Sequence, residues 1–243
     1  MAIKSLLLDQ QTLDISYEIV NPQAEVDFIV LHGWGSNKSL MKQFFAPYMN
    51  NFRHIYIDLP GFGNSTCSEA LTTQNYATAI DLLLLELDAS KDIILGHSFG
   101  GKVALLLKPK LLVLVASAGI YIPKPLKIRA KIALFKLLKI FGLAKFREFF
   151  VASDAKNLSQ AMYETFKSVV DEDFSDKFSN YKGKTLLCWG RDDSATPLSS
   201  AKKIEELIDG SLLVVYDGDH YFFMNQAKDI TTNIEKIFFK ESN

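Results

Sequence analysis

The chain has 243 residues, 48% of them hydrophobic and 23% charged, with a formal net charge of −1. That length suits one domain, or one domain carrying an insertion, and the composition excludes both wholesale disorder and a membrane bundle. The two cysteines, Cys67 and Cys188, fit neither a disulfide framework nor a zinc site, so both read as free thiols and neither metal nor cofactor is expected.

Near the start, Leu6-Leu7-Leu8 is too short for a signal-peptide core, and no stretch reaches the ~20 apolar residues of a membrane span. The expectation is a cytoplasmic protein without a transmembrane segment or a nucleic-acid partner. Asp14–Ile19 then reads as an antiparallel edge strand. Apolar runs at Asp27–Leu31, His54–Ile57, Asp92–Leu95, Leu111–Val115, Thr185–Trp189 and Leu212–Tyr216 read as strands buried on both faces of a parallel sheet. Helical patterns occupy Ala77–Leu87, Ser199–Ile208 and Ile230–Phe239, and Pro109 limits a further helix to residues 99–107. Strand alternating with helix predicts an α/β fold, a mostly parallel sheet flanked by helices.

The alternation fails between the strands at 111–115 and 185–189, where about seventy residues hold helical patterns and no clear strand. Residues 121–180 therefore read as an inserted helical cap on a core of 1–120 and 181–243. The first part, Lys124–Phe150, is a basic amphipathic helix or helix pair broken near Gly142, with Ile128, Ile132, Phe135, Leu138 and Phe141 roughly on one face. Residues 121–150 contain eight Lys or Arg, among them Lys124, Lys127, Arg129 and Lys131, against the single acid Glu148. This +7 segment leaves −8 for the rest of the chain.

Four stretches carry chemistry. In Leu95-Gly96-His97-Ser98-Phe99-Gly100-Gly101, Gly-x-Ser-x-Gly follows an apolar strand and opens a helix, the context of a nucleophile elbow in which a strained turn lifts the serine hydroxyl clear of the sheet. A serine hydroxyl needs a base to take its proton. Of four histidines, His32 lies in a glycine turn, His54 begins a strand and His97 is expected to point away from the serine by alternation. His220 follows the last strand and is the natural base. The base needs an acid, and Arg191-Asp192-Asp193 supplies two aspartates beyond the penultimate strand; Asp193 is preferred, with Asp192 capping the turn. Fourth, His32-Gly33-Trp34-Gly35 is a glycine turn that can set the Trp34 amide opposite that of Phe99, giving an oxyanion two backbone donors.

With Ser98, Asp193 and His220 in that order, the sequence resembles the α/β-hydrolase superfamily along nearly its whole length. Asp58-Leu59-Pro60-Gly61-Phe62-Gly63-Asn64-Ser65 resembles the family's structural turn after its fourth strand. Together with His32-Gly33-Trp34-Gly35, it is similar to pimeloyl-acyl-carrier-protein methyl ester esterases. Trp189-Gly190-Arg191-Asp192-Asp193 resembles the meta-cleavage-product C–C hydrolases, where the second aspartate is catalytic, and the resemblance thus implies Asp193. The chain departs from these patterns at Asp219-His220, where Gly-His is usual, at Tyr221, where the C–C hydrolases carry tryptophan, and in a shorter helix after the elbow. Ser98 in place of an aspartate argues against a haloalkane dehalogenase.

The expected activity is hydrolysis of a small carboxylic ester through an acyl-enzyme on Ser98, with C–C bond hydrolysis as the alternative on the same residues. The basic segment admits three readings: a docking surface for an acidic acyl carrier protein, a membrane-surface helix of a lipase or lysophospholipase, or the solvated face of a lid. A noncatalytic binder that kept the fold is the remaining alternative.

Overall fold

The computed structural model describes residues 1–122 and 158–240. The basic segment Lys124–Phe150, including Lys124, Lys127, Arg129 and Lys131, lies outside the described residues.

Eight strands form one sheet: β1 (Ala2–Leu8), β2 (Gln11–Val20), β3 (Val26–Leu31), β4 (Phe52–Ile57), β5 (Ile93–His97), β6 (Leu111–Val115), β7 (Lys184–Gly190) and β8 (Leu212–Tyr216), ordered β1-β2-β4-β3-β5-β6-β7-β8. From β4 to β8 the neighbours are parallel, and β1 and β2 pair antiparallel at one side. Every residue of β5 and β6 is buried, because helices cover both faces. Period-two alternation sorts their side chains. Ile29, Leu31, Ile94, Leu112 and Leu114 meet α2 (Thr73–Glu86) and α3 (Phe99–Leu107) on one face. Phe28, Val30, Ile93, Val113 and Val115 meet helix α1 (Lys38–Phe45) and the carboxyl-terminal helix (Phe223–Phe239) on the other.

Between β6 and β7 the described residues include α4 (Gln160–Val169) and α5 (Ser175–Asn180), after which α6 (Leu198–Leu207) and α7 (Phe223–Phe239) complete the chain order. The ends of these helices follow local chemistry. Thr72 and Asn75 form a capping box, so α2 begins at Thr73 rather than at the expected Ala77. Lys108 takes a left-handed conformation with φ 52° and stops α3 just before Pro109, as the sequence predicts.

The edge strand requires correction. The strand expected at Asp14–Ile19 is β2, and it is not at the edge: β1 pairs along it in the register Leu6↔Leu13 and Leu8↔Gln11. Leu6 and Leu8 turn into the core while Leu7 is 67% exposed, so the middle residue of the apolar Leu6-Leu7-Leu8 run faces solvent. An edge strand with one polar, open side lacks the apolar continuity by which the interior strands were recognised.

Since β3, β5, β7 and β8 run parallel, the turns that leave them all emerge at one edge of the sheet, the place where open α/β sheets carry their sites. His32, Ser98, Asp193 and His220 follow those four strands.

Candidate active site

Ser98 joins β5 to α3 with φ 51° and ψ −116°, a backbone region that costs a non-glycine residue about 1–3 kcal/mol. Its surroundings over-determine this geometry. The Ser98 N–H donates to Val115 O at 3.0 Å, and Ser98 O accepts from Gly101 N and Ala118 N, each at 3.0 Å. A Cβ on Gly96 would stand 2.4 Å from Gly100 O, and one on Gly100 would stand 2.5 Å from His32 O. The turn therefore closes only with glycine at both positions.

Of the four histidines, His32 and His54 are fully buried and His97 is 1% exposed. The His220 ring keeps a side-chain exposure of 16%. His54 is held by Tyr56 Oη at 2.8 Å and Met49 O at 2.9 Å. His220 Nδ1 lies 2.8 Å from Asp193 Oδ2. The other carboxylate oxygen of Asp193 accepts the N–H groups of Ala195 at 2.8 Å and Thr196 at 2.9 Å. Burial raises the Asp193 pKa, but the hydrogen bonds from His220 and Thr196 outweigh it and hold the carboxyl below its ordinary value. Asp192 is exposed and joins the loop through its main chain, its N–H donating to Gly218 O at 3.0 Å.

Thr196 joins the site from outside the Ser, His and Asp pattern of the four sequence stretches. Its Oγ1 lies 2.9 Å from Asp193 Oδ2, 3.1 Å from Ala116 O and 3.3 Å from His220 Nδ1, and its carbonyl accepts from Trp189 Nε1 at 2.6 Å. The available signal was the spacing, since an aspartate whose carboxylate accepts main-chain amides two and three residues on is a local turn motif.

No hydrogen bond joins Ser98 Oγ to His220 among the described residues. The link between their elements is His97, whose Nε2 lies 3.1 Å from His220 O. His97 turns toward the loop that carries His220. Its ring centroid is 4.8 Å from that of His220 and 4.9 Å from that of Phe223.

The Trp34 turn is built against the same edge. His32 Nε2 accepts the Leu59 N–H at 3.0 Å, so its proton sits on Nδ1, which donates to Gly33 O at 2.7 Å. Burial lowers the His32 pKa to about 4 and keeps the ring neutral in this arrangement. Beneath it, Lys38 Nζ pairs with Asp58 Oδ2 at 2.6 Å, each side chain 1% exposed, and also donates to Ser16 Oγ at 2.9 Å. A Cβ on Gly33 would stand 3.0 Å from Ser98 Cβ, so this turn reaches the serine. The Trp34 ring packs against Phe62, Phe99 and, from α4, Phe166, at 4.8, 5.6 and 5.3 Å. Phe99 is the first residue of α3, and its amide has no acceptor within the helix.

A second buried lysine ties α4 to α3. Lys102 Nζ donates to Val169 O at 2.6 Å and to Glu172 Oε2 at 3.3 Å. A cavity of about 230 Å³ lies alongside, lined by Ala118, Gly119, Ile120, Val170, Ala195 and Thr196 among others. Among the described residues, no group of three or more His, Cys, Asp or Glu is arranged to hold a metal ion.

A carboxylate that holds an imidazole by Nδ1 leaves Nε2 to accept a proton, and a hydroxyl raised on a strained turn at the same sheet edge is a fitting donor. An eight-stranded sheet of this order with such a turn after β5 is the architecture of an α/β-hydrolase. The sequence profile described as the Alpha/beta hydrolase family matches residues 28–231; the chain belongs to that family and is a hydrolase. A curated relative, the pimeloyl-[acyl-carrier protein] methyl ester esterase of Vibrio campbellii, is 25% identical over 87% of this chain and 94% of its own. Among solved structures, the esterase of Exiguobacterium antarcticum superposes with a TM-score of 0.73 at 22% identity, covering 93% of this chain and 96% of that one. The meta-cleavage product hydrolase of Pseudomonas fluorescens superposes equally well, with a TM-score of 0.73 at 22% identity over 99% of this chain and 98% of that one. Identities this low in the structural comparisons speak for the fold alone.

Proposed function

We propose that the protein is a serine carboxylic ester hydrolase with Ser98 as nucleophile, His220 as general base and then acid, and Asp193 as the group that orients and stabilises the histidine. In this reading His220 Nε2 takes the Ser98 proton as Oγ attacks the acyl carbon. The tetrahedral oxyanion is met by the main-chain N–H groups of Trp34 and Phe99. Collapse expels the alcohol with the proton returned by His220, and water on the same base then releases the acid. The observation that carries the proposal is the 2.8 Å contact between His220 Nδ1 and Asp193 Oδ2 at the sheet edge from which the strained Ser98 turn emerges.

The proposal extends to the segment between β6 and β7. Residues 121–180 form a cap, and its +7 portion steers an acidic acyl carrier protein, whose tethered methyl ester enters beneath it. The Vibrio campbellii relative supports this finer reading. C–C bond hydrolysis is the weaker reading, since Tyr221 stands where those enzymes carry tryptophan.

A panel of p-nitrophenyl acyl esters, with Ser98→Ala as control and fluorophosphonate labelling of Ser98, tests the ester-hydrolase reading. Turnover retained by Ser98→Ala sinks it. The carrier reading is tested with pimeloyl-carrier methyl ester against free small esters, and it fails if only the small esters are cleaved.

A further inference from the structure

His97 is a buried histidine beside the proposed base, and the proposed mechanism leaves it without a task. A carbonyl oxygen only accepts, so the 3.1 Å contact between His97 Nε2 and His220 O requires the proton on Nε2. Nδ1 is then a bare lone pair, and it is the His97 atom that is buried without a hydrogen-bond partner. Burial, with the neighbouring His220, lowers the His97 pKa to about 3, in keeping with a ring that stays neutral and in one tautomer.

The same peptide unit is held from its other end. The Tyr221 N–H donates to Asp219 Oδ1 at 2.8 Å, so the peptide between His220 and Tyr221 is clamped at its C=O by His97 and at its N–H by Asp219. Asp219 is the residue that departs from the usual Gly-His pattern, and this contact gives the departure a purpose. The His220 ring is fixed separately, at Nδ1 by Asp193.

We infer that His97 is a positioning residue, which with Asp219 clamps the His220–Tyr221 peptide so that His220 Nε2 is aimed at Ser98, coupling the strand that bears the nucleophile to the loop that bears its base. This rests on the ester-hydrolase reading of the site. His220 is thereby held at its carbonyl, at the amide that follows it and at Nδ1, and Nε2 remains for proton transfer. A shift of about 1 Å in such a group lowers turnover by up to about 100-fold without touching substrate binding.

The test compares His97→Leu, His97→Gln and Asp219→Ala with the wild type on a p-nitrophenyl ester, alongside the rate of fluorophosphonate labelling of Ser98. His97→Leu is expected to lower kcat about 10- to 100-fold with KM within about twofold, and to slow labelling by the same factor. His97→Gln, which can present an N–H near the position of Nε2, restores most of that loss. Asp219→Ala, at an exposed position that leaves the core intact, lowers kcat in the same sense, and it decides the matter if His97→Leu does not fold. Unchanged kcat and labelling in Asp219→Ala and in folded His97→Leu overturn the inference, as does an equal loss in His97→Leu and His97→Gln. If the wild type itself lacks Ser98-dependent turnover, the ester-hydrolase reading falls and takes the clamp with it; variants that match an active wild type sink the clamp alone.

Discussion

Asp193 Oδ2 lies 2.8 Å from His220 Nδ1, while the adjacent Asp192 is exposed and joins the loop through its main chain. The two aspartates are chemically identical and differ only in which one faces the imidazole. Asp193→Asn is expected to lower kcat on p-nitrophenyl esters by about 10⁴-fold, because an amide in that place favours the wrong tautomer of the histidine. Asp192→Asn should stay within about threefold of wild type. Steady-state kinetics on both variants decide the point, and a reversed order would move the acid to Asp192.

The strain at Ser98 yields a stability prediction that is separate from activity. Glycine accepts φ 51° without the Cβ penalty, so Ser98→Gly should be more stable than Ser98→Ala by about 1 kcal/mol, although the proposed mechanism expects both to lack activity. Urea midpoints of the two variants provide the comparison. Equal midpoints would mean that the turn is relaxed.

Lys38 and Asp58 form an ion pair in which each side chain is 1% exposed. Removing one partner strands the other as a buried charge, so Lys38→Met should cost about 3–5 kcal/mol. The double variant Lys38→Met/Asp58→Asn should recover part of that loss, since no unpaired charge remains. Chemical denaturation measures both, and additive losses in the double variant would contradict the pairing.

Burial depresses the pKa of His32 to about 4 and that of His97 to about 3, from 6.5 for an open chain. Between these values and 6.5 the unfolded chain binds protons that the folded one refuses, so stability rises with pH in that window and is lost as pH falls. Each ring contributes a slope of about 1.4 kcal/mol per pH unit once well below 6.5. Urea midpoints should therefore drop from pH 7 to pH 5, and the drop should be smaller in His97→Gln, which cannot titrate there. A profile identical to wild type in that variant would show that His97 titrates normally.

Much of the sheet was legible in the sequence because buried parallel strands are short, apolar and bounded by turn residues. The runs around Ile29, Ile94 and Val113 announce themselves by local pattern alone. β1 did not, because Leu7 faces solvent and the strand's identity comes from its partner, Leu6 opposite Leu13. The true start of α2 is set by the capping pair Thr72 and Asn75, which lie ahead of the apolar periodicity that points to Ala77. Thr196 and Lys102 carry no distinctive local motif, and their importance arises from neighbours 80 and 67 residues away in sequence, Ala116 and Val169.

By itself the sequence determined that this chain alternates strand and helix, that Ser98 sits in a glycine-flanked turn after a buried strand, and that an aspartate pair and His220 follow in the order Ser, Asp, His. These are local facts, fixed by side-chain size, backbone freedom and periodicity. The tertiary structure decided which aspartate meets His220, and that His97, expected only to face away from the serine, faces the loop of the proposed base. Hydrogen bonds at 2.8 and 3.1 Å join groups 27 and 123 residues apart, and no local pattern in a chain encodes such convergence.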